Sequence, residues 1–122
     1  MTKRILAIDD DPAQLQLLQR GLKRAGFEVE TARDGRDGLD KLKARPPDAV
    51  VLDLDMPELD GNRFLTLVKG HPATRRIPIL VLSGRDSYES MRRTHAEGSD
   101  GYLTKPVALP QLIERLQRLM GE

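Results

Sequence analysis

Apolar residues fall into short runs along this chain, and each run is followed by a stretch where they recur at every third or fourth position. The runs are Arg4 to Ile8, Phe27 to Ala32, Ala49 to Leu52, Ile77 to Leu82 and Gly101 to Thr104. They read as five β-strands. The intervening stretches read as five helices. In the first, Leu15, Leu18, Leu22 and Ala25 share one face, with Pro12 suited to the first helical position and Gly26 to the stop. Leu39 and Leu42 mark the second helix, and Phe64, Leu65 and Val68 the third. The fourth, after Ser83, is the weakest: Tyr88, Met91 and Ala96 are its apolar members among Arg92, Arg93, His95 and Glu97. The fifth carries one wide stripe, Leu109, Leu112, Ile113, Leu116, Leu119 and Met120.

Strand–helix alternation predicts a parallel sheet with right-handed crossovers and helices on both faces. The first, third and fourth strands are apolar at nearly every position, as strands covered on both sides should be. Glu28-Val29-Glu30-Thr31-Ala32 alternates, as an edge strand should. The expected fold is therefore α/β and flavodoxin-like: a doubly wound, five-stranded parallel sheet of order 2-1-3-4-5 with five helices.

Composition narrows the class. The 122 residues suit one domain over 1–122, and a 39% hydrophobic, 32% charged balance suits a soluble globular chain. No apolar run approaches the ~20 residues of a membrane-spanning helix. Asp9, Asp10 and Asp11 cut the first apolar run too short for a signal peptide. There is no cysteine, which excludes disulfides and thiol chemistry, and a cytoplasmic location is the expectation. With net charge +1, no aromatic interleaving of the basic residues and no helix-turn-helix, neither nucleic acid nor membrane is an expected partner.

The strand ends carry the chemistry. Ile8 is followed by Asp9-Asp10, Leu52 by Asp53, Leu82 by Ser83, and Leu103-Thr104 by Lys105-Pro106. In a parallel sheet these ends share the edge where such folds bind ligands. Converging carboxylates repel, at about 4 kcal/mol per pair near 4 Å and an effective dielectric of 20. Such a site calls for a hard cation such as Mg²⁺ (or Mn²⁺). A cation, the Lys105 ammonium and the Ser83 hydroxyl are the parts needed to hold a phosphoryl group, and the Asp53 carboxylate can be its nucleophile.

These residues lie in I-D-D-D-P (8–12), V-V-L-D-L-D-M-P-E-L-D-G (50–61), I-P-I-L-V-L-S-G (77–84) and G-S-D-G-Y-L-T-K-P (98–106). With those stretches the sequence resembles, over essentially its whole length, the receiver (CheY-like) domain of two-component response regulators. The resemblance implies roles. Asp53 is the phosphoacceptor. Asp10 and Asp53 ligate Mg²⁺, Asp9 holds its waters, and the backbone carbonyl of Asp55 completes the protein ligands. Ser83 and Lys105 hold the phosphoryl oxygens. Ser83 and Tyr102 form the switch, and Lys105-Pro106 is a cis bond. The implied donor is a phosphohistidine on a sensor histidine kinase or phosphotransfer protein. The implied output surface for a downstream target is the fourth helix, fifth strand and fifth helix. The family also admits a phosphorylation-dependent dimer. Self-phosphorylation and self-dephosphorylation would be weak, so the chain is expected not to act as a turnover enzyme.

Departures from the family pattern are Ser83 where Thr is commoner, Gly38 inside the second helix, and His95 and Glu97 in the fourth. Asp55 and Arg85, two positions after Asp53 and Ser83, are expected to pair across the site mouth and slow water entry. Asp11 and Asp60 read as helix N-caps, and His71 and His95 as surface residues. Two alternatives stand beside the receiver. Asp53-Leu54-Asp55 also resembles the D-x-D nucleophile of haloacid-dehalogenase-type phosphatases, and a pseudo-receiver would only bind partners.

Overall fold

A computed structural model describes residues 2–56, 60–85 and 88–121, with only the backbone of Asp60. The strands are β1 (Arg4–Ile8), β2 (Glu28–Ala32), β3 (Ala49–Asp53), β4 (Ile79–Ser83) and β5 (Gly101–Thr104). The helices are α1 (Pro12–Arg24), α2 (Gly35–Ala44), α3 (Asp60–Gly70), α4 (Tyr88–Ala96) and α5 (Leu109–Leu119). All pairings are parallel and the order is β2-β1-β3-β4-β5, as the strand patterns predict.

Every residue of β1, β3 and β4 is buried. Successive side chains point to opposite faces, so each strand feeds two cores. Leu6, Ile8, Val50, Leu52 and Val81 pack with Leu42, Phe64, Leu65 and Val68 of α2 and α3. Ile5, Val51, Leu80 and Leu82 pack with Leu22, Leu112 and Leu116 of α1 and α5. β4 begins two residues later than the apolar run suggests. Pro78 has no N–H to give to a ladder, and contributes only its carbonyl, which accepts from Val50 N–H at 2.9 Å.

Local signals set the ends of α1. Asp11 caps it by accepting from Ala13 N–H at 3.0 Å, and Pro12 occupies the first turn. Gly26 follows at φ 98°, a left-handed conformation that glycine adopts without a Cβ penalty. The side chain of Asp60, read as a cap, lies outside the described residues. Gly38 has a packing reason: a Cβ there would sit 2.5 Å from Ile8 Cδ1 and 3.3 Å from Phe64 Cε2. The missing methyl lets α2 lie close on β1, and this contact offsets the ~1 kcal/mol that glycine costs in a helix.

α4 is weakly apolar, as its sequence suggests. Tyr88 and Met91, two of its apolar members, are 75% and 39% exposed, and among the described residues its buried side chain is Thr94. Polar contacts hold this helix. Thr94 Oγ1 donates to Ser90 O at 2.9 Å, Asn62 Nδ2 of α3 donates to Glu97 at 2.7 Å, and Ser90 Oγ lies 3.4 Å from Tyr102 Oη.

Candidate functional site at the carboxyl edge of the sheet

The register places the site. Ile8 pairs with Leu52, so the residues that follow them, Asp9 and Asp53, emerge side by side from neighbouring central strands. On the other flank Asp53 pairs with Leu82, one residue before Ser83. Ser83 in turn pairs with Thr104, and Lys105 follows, its backbone N–H donating to Ser83 O at 2.8 Å. The Lys105–Pro106 bond is cis. Asp53, Ser83 and Lys105, far apart in sequence, thus share one end of the sheet.

Asp9 is 1% exposed and Asp53 4%, whereas Asp10 is exposed. Asp9, Asp10 and Asp53 each bring a carboxylate oxygen to within 4.8 Å of the others. Burial, reinforced by the neighbouring Asp53, pushes the Asp9 carboxyl up to about 7, although Asp11 N–H and the Lys105 charge pull the other way. Two buried carboxylates beside an exposed third, all oxygen donors, form a set that a hard divalent cation fits in number and chemistry.

On the opposite side stand the cations and donors. Lys105 Nζ lies 2.8 Å from Asp53 Oδ1 and 3.3 Å from Asp55 Oδ2. Burial alone would lower the Lys105 pKa, but the bonds to Asp53 and Asp55 outweigh it and hold it above its usual value. Asp53 Oδ1 also accepts from Asp55 N–H at 2.9 Å, which fixes the carboxylate's orientation. Ser83, fully buried, donates through Oγ to Asp55 Oδ1 at 3.0 Å and accepts from Arg85 N–H at 3.1 Å. Tyr102 Oη donates to Arg85 O at 2.6 Å, which links β5 to the segment after β4.

The expected Asp55–Arg85 pair does not form. Asp55 takes its ion pair from Lys105, and its remaining side-chain partners among the described residues are Ser83 Oγ and Gly84 N–H, the latter at 2.6 Å. Among the described residues, Arg85 acts here through its backbone, donating to Ser83 and accepting from Tyr102. A charge count along the sequence misses this, because a lysine already ion-paired to Asp53 reaches Asp55 as well. Sequence reasoning also missed the Gly84 amide, whose only signal was a glycine directly after the strand-end serine. The site residues therefore group as an acid cluster of Asp9, Asp10 and Asp53 and a donor cluster of Ser83, Gly84 and Lys105. Asp55 lies among the donors and Tyr102 just beyond them.

This fold and edge define a class, and comparison with known proteins identifies the family. Residues 5–117 match the response regulator receiver domain model, and the chain belongs to that family. It is 40% identical over 117 residues to the transcriptional regulatory protein PrrA of Mycobacterium bovis, covering 96% of this chain and 49% of that protein. It is 42% identical over 120 residues to the response regulator MprA of Mycolicibacterium vanbaalenii, covering 98% of this chain and 51% of that protein. The chain thus spans about half the length of these curated relatives. Among solved structures it is similar to the chemotaxis protein CheY4 of Vibrio cholerae, with a TM-score of 0.91, 34% identity and coverage of 98% and 99% of the two chains. The chain is a receiver domain of the two-component type, a family of signalling modules rather than turnover enzymes, and the phosphatase alternative is not favoured.

Proposed function

We propose that Asp53 is the phosphoacceptor of this receiver and that Asp9, Asp10 and Asp53, with the Asp55 backbone carbonyl, hold Mg²⁺ (or Mn²⁺). The observation that carries the reading is the Lys105–Asp53 ion pair of 2.8 Å next to an acid cluster of two buried carboxylates and one exposed one. Asp10 and Asp53 would hold the ion directly, and Asp9 would hold it through water. Mg²⁺ bound there neutralises carboxylate charge and the charge on the incoming phosphoryl oxygens. The chain's own residues do the rest. The Asp53 carboxylate, already oriented by Asp55 N–H and Lys105, attacks phosphorus; the bond to the donor breaks, and the product is an aspartyl phosphate. Lys105 and Ser83 then hold its oxygens.

The donor is a phosphohistidine on a sensor histidine kinase or phosphotransfer protein. With acetyl phosphate as donor the leaving group is acetate, and this self-phosphorylation and the later hydrolysis are slow. A groove of about 670 Å³ beside Lys105, lined by Leu17, Leu18, Val107 and Leu109, offers that partner apolar surface, and Leu17 is 67% exposed. The switch runs from Ser83 through Arg85 to Tyr102 and α4, along the bonds described above. The phosphoryl group shifts the population of these residues between two arrangements. The α4–β5–α5 face carries the outward Tyr88 and Met91, with Arg92 stacked 5.8 Å from the Tyr88 ring centroid, as surface for a downstream target or a second copy. Intact mass after incubation with acetyl phosphate and Mg²⁺ tests the reading. Wild type should gain one phosphoryl group, and Asp53→Asn, or wild type in EDTA, should gain none. Equal gain by Asp53→Asn would refute it.

A further inference from the structure

The donor cluster is not waiting empty for an incoming group. Gly84 N–H, Ser83 Oγ–H and Lys105 Nζ all point at one carboxylate, that of Asp55, at 2.6, 3.0 and 3.3 Å. They contact both of its oxygens, Oδ1 through Ser83 and Oδ2 through Gly84 and Lys105. The opposing partner of Lys105 is Asp53 Oδ1, the carboxylate to be phosphorylated. A backbone amide, a hydroxyl and an ammonium converging on a small planar anion form a set suited equally to the oxygens of a phosphoryl group.

We infer that the Asp55 side chain is an internal occupant of the phosphoryl-oxygen site, competing with the phosphoryl group for Gly84, Ser83 and Lys105 and so acting as a brake on phosphorylation. The inference rests on the reading of Asp53 as acceptor. Three physical consequences follow. An incoming donor must displace the Asp55 carboxylate before its oxygens can take the same hydrogen bonds. The donor also meets a negative charge beside an acid cluster, and Coulomb repulsion adds to the cost of displacement. The segment after β4 is meanwhile drawn toward the site by an anion already in place, because Ser83 and Gly84 are both bonded to it. The occupant is an aspartate, a group that is ordinarily ionised at neutral pH, and its partners are all donors.

Asp55→Asn keeps the shape and removes the charge, Asp55→Ala removes the acceptor, and both retain the backbone carbonyl assigned to the metal. The first readout is the metal-free protein. The Gly84 amide proton resonance should move upfield in both variants as its charge-assisted bond is lost. The second is the rate of phosphorylation by acetyl phosphate at saturating Mg²⁺, with the affinity for beryllium fluoride as a non-covalent check. Both should rise, by roughly tenfold for the loss of one charge-assisted competitor. A gain separates this role from a structural one, because damage to the site lowers rate and affinity together. An unmoved Gly84 amide, or phosphorylation that is unchanged or slower in variants that still melt cooperatively and within a few degrees of wild type, overturns the inference while leaving Asp53 as acceptor. No phosphoryl gain in any of the three proteins overturns the acceptor reading and the inference with it.

Discussion

Asp9 and Asp55 stand at opposite ends of one site: Asp9 is buried, whereas the Asp55 side chain keeps 31% of its surface in water, and their surroundings drive them apart. Burial is the largest influence on each and pushes both carboxyls up. For Asp9 it prevails: one backbone N–H, from Asp11 at 2.9 Å, does not offset burial and the adjacent Asp53, and the group rises to about 7. For Asp55 it loses to the bonds from Gly84, Ser83 and Lys105, and the group falls below its ordinary value. What separates them is the depth of burial together with the number and charge of donors, properties of the surroundings and not of the residue. The acid end of the site is therefore destabilised in the absence of a cation, while the donor end is satisfied from within the chain.

The largest expected effect that sharpens this contrast concerns Asp9. Its carboxyl is raised from 3.8 to about 7, so between those pH values the folded state binds the proton that the unfolded state has released. Its contribution to stability is full below pH 3.8 and is lost as pH rises through about 7. In EDTA, Asp9→Asn should therefore melt higher than wild type above pH 7, by on the order of 5 °C. The gap should close toward pH 4, and Mg²⁺ should narrow it at neutral pH. Thermal melts across pH at fixed ionic strength check this, and a variant that melts lower at pH 7.5 in EDTA would break the comparison. The effect at Asp55 should be smaller and of opposite sign. Its depressed pKa contributes stability above its unfolded value that is lost as pH falls through the folded one. Asp55→Asn should thus melt about 1–3 °C lower at pH 7, with the difference vanishing in acid. The subtlest test is Lys105→Gln. The Lys105 charge lowers both carboxyls, so its loss should move the carbon-13 carboxyl titrations of Asp9 and Asp55 upward together. Movement of only one would show that Lys105 does not bridge the two ends.

Much of this was legible in the chain because it rests on periodicity and on strand ends. Apolar β1, β3 and β4 and the alternating Glu28 to Ala32 were enough to order the sheet, and a parallel sheet places Asp9, Asp53, Ser83 and Lys105 together. Strand ends moved by one or two residues, since Asp53 and Ser83 are still within the ladder and Pro78 is not. α4 resisted because its anchoring is not periodic. Its apolar Tyr88 and Met91 face out, while the helix is held through Thr94 and through Glu97 to Asn62, 35 positions away. Glu97, a departure from the family pattern, has a packing partner that no local pattern announces. The Asp55–Arg85 expectation failed for a similar reason: opposite charges at matching offsets say nothing about a third group that arrives first.

The Lys105–Asp53 pair joins residues 52 positions apart, one at the end of β3 and one just after β5, strands that are not themselves neighbours in the sheet. A ribosome releases Asp53 long before it releases the lysine. Until β4 and β5 are laid down beside β3, the aspartate has no ammonium, no serine hydroxyl and no Gly84 amide to work with. The chemistry of the site is therefore a proof of completion. A chain that has stalled, been cut, or failed to close its last two strands still carries its aspartate but lacks the ammonium, hydroxyl and amide that complete the site.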